Sequence, residues 1–318
     1  MGDQASRLRE LAGAGFFGEI LPKPEALIAA DASMGPSGRT GCTTIAVTSG
    51  KGGVGKTTVA LSLAAAIARM RRKVLLIDAD FGLASVHILL GIAPRRNLSQ
   101  AICGECAIET IVSHGPGGIH LIPGTGGVES MANLSRSDLA RAIGLLSRFE
   151  REYDFIIIDT AAGIGDSVTR LAMHADLPIV VVTPEPASLA DAYAILKVLH
   201  RHGARQSAAV INMAASDREG AETFDRLNAL VLQFLQRRVQ CFGSLPFDRE
   251  ISRYVKSQRV AVIENPNGSF SGKVQKMAWK ISGRPSLRRM GFFDRVMHAV
   301  QPERRSEAKA DNRGVLVS

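Results

Sequence analysis

The sequence predicts an α/β fold: a doubly wound, mostly parallel sheet with helices on both faces. Three observations lead there. From Thr43 onward, short apolar, β-branched runs alternate with helical stretches, the order that parallel strands and crossover helices require. Several of those runs are apolar at every position, as strands covered on both faces must be. A glycine-rich loop, Gly50 to Gly55, stands between one such run and a helix, at the carboxyl end of a strand, where α/β sheets bind their ligands.

The strand candidates are Thr44–Thr48, Lys73–Ile77, Ile119–Ile122, Phe155–Ile158, Ile179–Val182, Ala208–Ile211 and Val239–Phe242. Helices are expected at 56–70, 136–150, 166–175, 188–201 and 219–236. Residues 1–21 read as a short N-terminal helical segment. Residues 22–42 read as a linker, because Pro22 to Gly41 is rich in Pro, Ala, Ser and Gly and has no apolar period. The main domain then runs over 43–282, and 283–318 holds a last helix and a polar tail. With Met290–Val300 wound at 100° per residue, Met290, Phe292, Phe293, Val296, Met297, Ala299 and Val300 share about half the circumference, with Asp294, Arg295 and His298 opposite.

Composition narrows the class. No run of 18 apolar residues occurs, and no basic stretch leads into an apolar one at the N-terminus, which predicts a cytoplasmic protein. The four cysteines, Cys42, Cys103, Cys106 and Cys241, are too few for a disulfide scaffold. Cys103 and Cys106 form one C-x-x-C without a second pair or a nearby His; it reads either as half of a metal site shared across a dimer or as chance spacing. The net charge of +9 is uneven, since residues 271–318 hold eleven Lys/Arg against four acids. Such an end suits anionic lipid or nucleic acid. The seven histidines suggest no nucleophilic triad, and His200 and His202 read as exposed residues facing a helix dipole.

Gly50-Lys51-Gly52-Gly53-Val54-Gly55-Lys56-Thr57-Thr58 contains a Walker A motif in its required context of strand, loop and helix. Its glycines let backbone N–H groups curl around phosphates, and the following helix N-terminus adds its dipole. Lys56 is expected to reach the β- and γ-phosphates of ATP, and the Thr57 hydroxyl to ligate Mg²⁺. Phe155 to Ile158 followed by Asp159 has the Walker B form, which assigns Asp159 to a Mg²⁺-bound water.

A second lysine directly after the first glycine, in K-G-G-V-G-K-T-T, resembles the MinD/ParA family, and the resemblance extends over most of residues 43–265. It implies a P-loop NTPase that hydrolyses ATP as a dimer, with Lys51 reaching across to the partner's phosphates and neutralising transition-state charge. It maps Asp78 and Asp80, with Phe81-Gly82-Leu83, onto switch I: Asp80 would position the attacking water and Asp78 would lie near the Mg²⁺ shell. Thr160-Ala161-Ala162-Gly163 resembles switch II, with Ala161 where the family more often has Pro or Gly and Gly163 offering its N–H to the γ-phosphate. Asn212, Pro246, Phe247 and Asp248 match the stretches that recognise adenine, and Glu185 matches a residue that contacts the partner subunit's nucleotide.

Three branches of the family differ in what they bind: DNA through a basic face, membrane through a C-terminal amphipathic helix, or metal through interfacial cysteines. The apolar arc of 290–300, flanked by Arg284, Arg288 and Arg289, favours an anionic membrane surface over DNA, the other reading being a helix packed on its own domain. Asp3-Gln4-Ala5-Ser6-Arg7-Leu8-Arg9 resembles the D-Q-A-x-x-L-R segment that opens the FlhG branch (FleN/YlxH), MinD-like ATPases that set flagellar number and placement. That resemblance implies stimulation of an FlhF-type GTPase through residues 3–9, with flagellar switch-complex proteins or a flagellar transcription regulator as further partners. The expectation is a cytoplasmic ATPase that cycles between a monomer and an ATP-bound homodimer at the inner face of the cytoplasmic membrane. A ParA-type DNA- or cargo-partitioning ATPase is the alternative, and a metallochaperone using Cys103 and Cys106 a third.

Overall fold

The computed structural model describes residues 41–80, 85–124, 136–204, 206–283 and 290–300. The expectations for residues 3–9, for most of the linker, for Phe81–Leu83, for Arg284, Arg288 and Arg289 and for the tail beyond 300 lie outside the described residues. The strands are β1 (Thr43–Ser49), β2 (Val74–Ala79), β3 (Ser113–His114), β4 (Ile119–Ile122), β5 (Phe155–Ala162), β6 (Leu177–Val182), β7 (Ala208–Ala214) and β8 (Gln240–Pro246). They form one sheet in the order β3-β4-β2-β5-β1-β6-β7-β8, parallel throughout except for the edge pair β3–β4.

The helices are α1 (Lys56–Arg69), α2 (Val86–Leu89), α3 (Leu98–Cys103), α4 (Arg136–Leu146), α5 (Asp166–His174), α6 (Pro186–Arg201), α7 (Asp217–Leu235), α8 (Arg249–Lys256), α9 (Ala261–Glu264), α10 (Ser269–Ser282) and α11 (Phe292–Val300). Side chains alternate across the sheet. Ile45, Val47, Phe155, Ile157 and Ile179 pack under α1, α9 and α10. Ala46, Ile156, Ile158, Val180 and Ile211 pack under α3 to α7 and α11. Hence β1, β5 and β6 are buried on both faces, which is why they carry no alternation in sequence.

Several elements differ from the expectation. β5 runs four residues past Ile158 because Asp159 to Ala162 continue its pairing with β1 and β2. Helices α8 to α10 were not anticipated, although Phe270, Val274, Met277, Ala278 and Ile281 of α10 recur at helical spacing and bury against α1. His200 is half-buried, not an exposed cation: its Nε2 lies 3.1 Å from Ser207 Oγ, and burial, with Arg237 nearby, holds its pKa below the usual value.

For α11 the structure shows the helix packed on its own domain. Phe292, Phe293 and Val296 are buried in the domain's own core, against α4 and α5. Polar contacts hold both ends. Glu150 Oε1 accepts from Phe293 N at 2.9 Å, a carboxylate at the positive end of the helix. Arg170 donates to the Ala299 carbonyl at 3.1 Å, near the other end. Between them, Arg295 donates to the His174 carbonyl at 2.7 Å and to Asp176 Oδ1 at 2.9 Å. Asp176 Oδ2 in turn accepts from the backbone N–H and hydroxyl of Thr44, both at 2.9 Å. Phe292, Phe293 and Val296 of the apolar arc read as a membrane face are therefore covered by α4 and α5, while Met290 stays exposed.

Candidate functional site

The sheet order places β1 between β5 and β6, and the loop that leaves β1 opens between β5 and α6. Two of its glycines sit at left-handed angles, Gly53 at φ 80° and Gly55 at φ 83°, which favour a residue without Cβ. The loop is also wedged. A Cβ on Gly50 would lie 2.3 Å from the Asp191 carbonyl oxygen of α6, and one on Gly55 would lie 2.4 Å from Asn212 Nδ2 of β7. Asn212 Nδ2 donates to the Val54 carbonyl at 2.8 Å, and Ser49 Oγ donates to the Lys51 carbonyl at 2.9 Å. α1 starts directly from Gly55 with no side-chain cap and no acid in its first turn. Its uncapped N–H groups and dipole make an anion site beside the loop.

Asp78 and Asp159 are register partners on β2 and β5, on the α1 side of the sheet. Lys56 Nζ, at the first position of α1, meets Asp159 Oδ1 at 2.7 Å, and both residues are buried. Burial pushes the Asp159 carboxyl upward while the Lys56 ammonium and the nearby Thr57 hydroxyl oppose the shift. Asp159 Oδ2 is buried without a well-formed hydrogen bond. A buried carboxylate oxygen beside a threonine hydroxyl is a hard-oxygen donor set that suits Mg²⁺.

Asp78 does something the sequence did not reveal. Its Oδ2 accepts from the backbone N–H of Ser85 and Val86 at 2.9 and 3.1 Å, and its Oδ1 from Asp80 N at 3.2 Å. It thus ties together both ends of the segment that follows β2. Burial pushes its pKa up to about 6, against the lowering effect of those backbone donors. Asp80 is half-buried and its charge reaches Asp159.

Other expected residues make contacts within this chain. Lys51 Nζ pairs with Glu185 Oε2 at 2.8 Å, on an exposed lip where Glu185 precedes α6. Gly163, at φ 99°, donates its N–H to the Ser49 carbonyl at 2.8 Å, so in this conformation the donor assigned to a γ-phosphate is held by β1. Asp248 caps α8 by accepting from Glu250 N at 2.9 Å. Pro246 ends β8 in register with Ala214, and Phe247 is exposed. Met213, exposed and at φ 60°, lies beside Asn212 and the Gly55 position. Asp191 was missed because it lies on a helix away from any motif in the chain, and Met213 because a methionine beside Asn212 carries no chemical signal of its own. Cys103 is exposed and Cys106 packs on the core; among the described residues no group of three or more His, Cys, Asp or Glu is arranged for a metal.

Comparison with known proteins agrees with this geometry. The AAA-domain family model matches residues 42–210, and the model described as NUBPL iron-transfer P-loop NTPase (ParA) matches residues 143–282. The chain is similar to antiactivator FleN of Pseudomonas aeruginosa, 40% identical over 242 residues that cover 76% of this chain and 86% of that protein. It is 30% identical to the flagellum site-determining protein YlxH of Helicobacter pylori, covering 74% of this chain and 80% of that one. Among solved structures, the cell division ATPase MinD of Pyrococcus furiosus superposes with a TM-score of 0.64 at 26% identity, covering 76% of this chain and 98% of that one. With a glycine loop carrying two lysines, a buried Lys56–Asp159 pair and these similarities, the chain belongs to the MinD/ParA family of P-loop ATPases, on the FlhG branch that includes FleN and YlxH.

Proposed function

We propose that this protein is an ATP-driven dimerisation switch that regulates flagellar number and placement. The observation that carries the ATPase part is the division of labour between two lysines of one loop. Lys56 is buried against Asp159, inside the site. Lys51 stands on the exposed lip, paired with the exposed Glu185. A surface ion pair is weak and screened by salt, so Lys51 is available to exchange Glu185 for the phosphates of a second subunit's ATP.

In this reading the loop from Gly50 to Thr58 cradles the phosphates, with Gly52, Gly53 and Val54 contributing backbone N–H groups. Lys56 contacts the β- and γ-phosphates. Mg²⁺ would be held by Thr57 and, partly through water, by Asp159 and Asp78, where it would neutralise phosphate charge. Asp80 orients the attacking water. Gly163 leaves Ser49 to meet the γ-phosphate. Asn212, Pro246, Phe247 and Asp248 border the adenine, and Glu185 approaches the partner's nucleotide. Turnover per molecule should rise with protein concentration in the wild type. Lys51→Ala should keep ATP binding and lose this concentration-dependent turnover; unchanged turnover would refute the trans role.

The similarity to YlxH, a flagellum site-determining protein, and to the antiactivator FleN supports the flagellar assignment, with a transcription regulator or switch-complex proteins as downstream partners. A peptide of residues 1–22 should stimulate an FlhF-type GTPase without ATP, and its Gln4→Ala form much less. For location, we place the ATP-bound dimer at the inner face of the cytoplasmic membrane, with α11 undocked to bind lipid and docked otherwise. Sedimentation of ATP-loaded protein with anionic liposomes, beside plasmid DNA, separates this from DNA partitioning.

A further inference from the structure

At the edge of the sheet opposite the phosphate loop, where the parallel strands begin, two helix ends meet. α1 ends at Arg69, and the chain turns through Met70 and Arg71, the latter at φ 57°, before Lys73 leads into β2. α10 packs along α1 and ends beside that turn, where Ser282 Oγ donates to Met70 Sδ at 3.7 Å. Its opposite end lies toward the phosphate-loop edge, since Lys273 pairs with Asp217 at the start of α7. Five exposed cations are spread along this edge, from Lys73, whose charge reaches His120 of β4, through Arg69 and Arg71 at the turn, to Lys276 and Lys280 of α10, the latter reaching Cys241 of β8; none is in an ion pair among the described residues. Between the two lysines stands Trp279, 44% exposed and the chain's single tryptophan.

We infer that this edge is a second, preformed contact for an anionic bilayer, made by the folded domain itself. The charge is complementary to acidic headgroups, each cation near such a surface adding attraction that decays within a Debye length. A tryptophan with its ring half in solvent among lysines matches the chemistry of the headgroup layer, where an amphipathic ring is favoured. Position decides between lipid and nucleic acid. α11 is fastened at this same edge, through Arg295 to the end of α5 and to Asp176 just before β6. α10 is also the helix that precedes α11 in the chain. The inference rests on the membrane reading above and adds what α11 lacks: one nine-residue helix gives marginal binding, and basic residues at the same sheet edge, on the opposite face, are the second signal that stable attachment requires.

The sole tryptophan is the probe. Full-length protein loaded with Mg²⁺ and a non-hydrolysable ATP analogue is mixed with vesicles of phosphatidylglycerol and phosphatidylcholine, or of phosphatidylcholine alone, while flotation is followed in parallel. Trp279 emission should shift to the blue with the anionic vesicles and be quenched by acyl-brominated lipid, with no response to neutral vesicles. Lys276→Gln with Lys280→Gln should weaken vesicle binding by about 30-fold, about fivefold per cation, with ATP affinity unchanged. Protein that floats with anionic vesicles while Trp279 stays unshifted and unquenched overturns the inference and leaves α11 as the sole anchor. A response to plasmid DNA in place of vesicles overturns it in favour of nucleic acid. Protein that neither floats nor responds overturns this inference and the membrane reading together.

Discussion

Phe293→Ala tests whether α11 is a detachable element or a fixed part of the core. Phe293 is 3% exposed and packs with Phe292 and Val296 on α4 and α5. Truncating so buried a phenylalanine costs about 3–5 kcal/mol. A helix of nine residues is too short to persist alone. A detachable α11 therefore takes the loss on its own docking equilibrium, while the sheet and its flanking helices remain. A loss of 3 kcal/mol shifts that equilibrium by about two orders of magnitude. The contacts from Glu150, Arg170 and Arg295 persist and oppose full release. Hydrogen exchange should become fast in residues 293–300 and stay slow in α1, and the nucleotide-free variant should begin to float with anionic vesicles. If α11 exchanges as slowly as in the wild type while the thermal midpoint falls by the whole amount, the helix unfolds only with the rest of the domain and the detachable reading is wrong.

Three further outcomes follow from the site. Asp80→Ala should bind Mg-ATP and remain dimeric by gel filtration, because hydrolysis resets the switch; a monomeric elution would count against its role. Asp78 carries a pKa raised from 3.8 to about 6. The folded state then binds the proton more tightly than the unfolded one, so this group's contribution is full below about pH 4 and lost as pH rises through 6, on the order of 3 kcal/mol in all. Urea midpoints across that window should fall more steeply with rising pH in the wild type than in Asp78→Asn, and parallel slopes would exclude Asp78 as the source. Gly55→Ala must strain a left-handed residue and push Asn212 off Val54; ATP binding should weaken by tenfold or more in an isothermal titration, and wild-type affinity would show that the loop has slack.

The central strands and the phosphate loop were legible because their signals are local. A run such as Phe155–Ile158 before Asp159 states both its double burial and the carboxylate that follows it. What the sequence hid is pairing at a distance. An amphipathic 290–300 segment reads the same whether its arc meets lipid or α4 and α5, since both are apolar; only the fold supplies Glu150, Arg170 and Asp176 around it. The backbone contacts of Asp78 were hidden because a strand-end carboxylate carries no sign of which backbone N–H groups will find it. Likewise, Lys51 and Glu185 lie 134 residues apart, and their contact follows from β1 and β6 being neighbours. Helix α8 escaped because it is only eight residues long and mostly polar, with no fully buried side chain, although its few apolar residues share one face.

Helix α5 has its two ends in different neighbourhoods. It begins just after Gly163, whose N–H is held by Ser49 at the phosphate loop, and its Arg170 and His174 hold α11. Nine residues make a rod of about 14 Å, short and stiff enough that displacement at one end is felt at the other. Any influence so transmitted is reciprocal. If ATP weakens the docking of α11 by some factor, loss of docking strengthens ATP binding by that same factor, because the two equilibria close one thermodynamic cycle. A bilayer that captures α11 would therefore act as an effector of the nucleotide site, and the protein would hold ATP more tightly at the membrane than in solution.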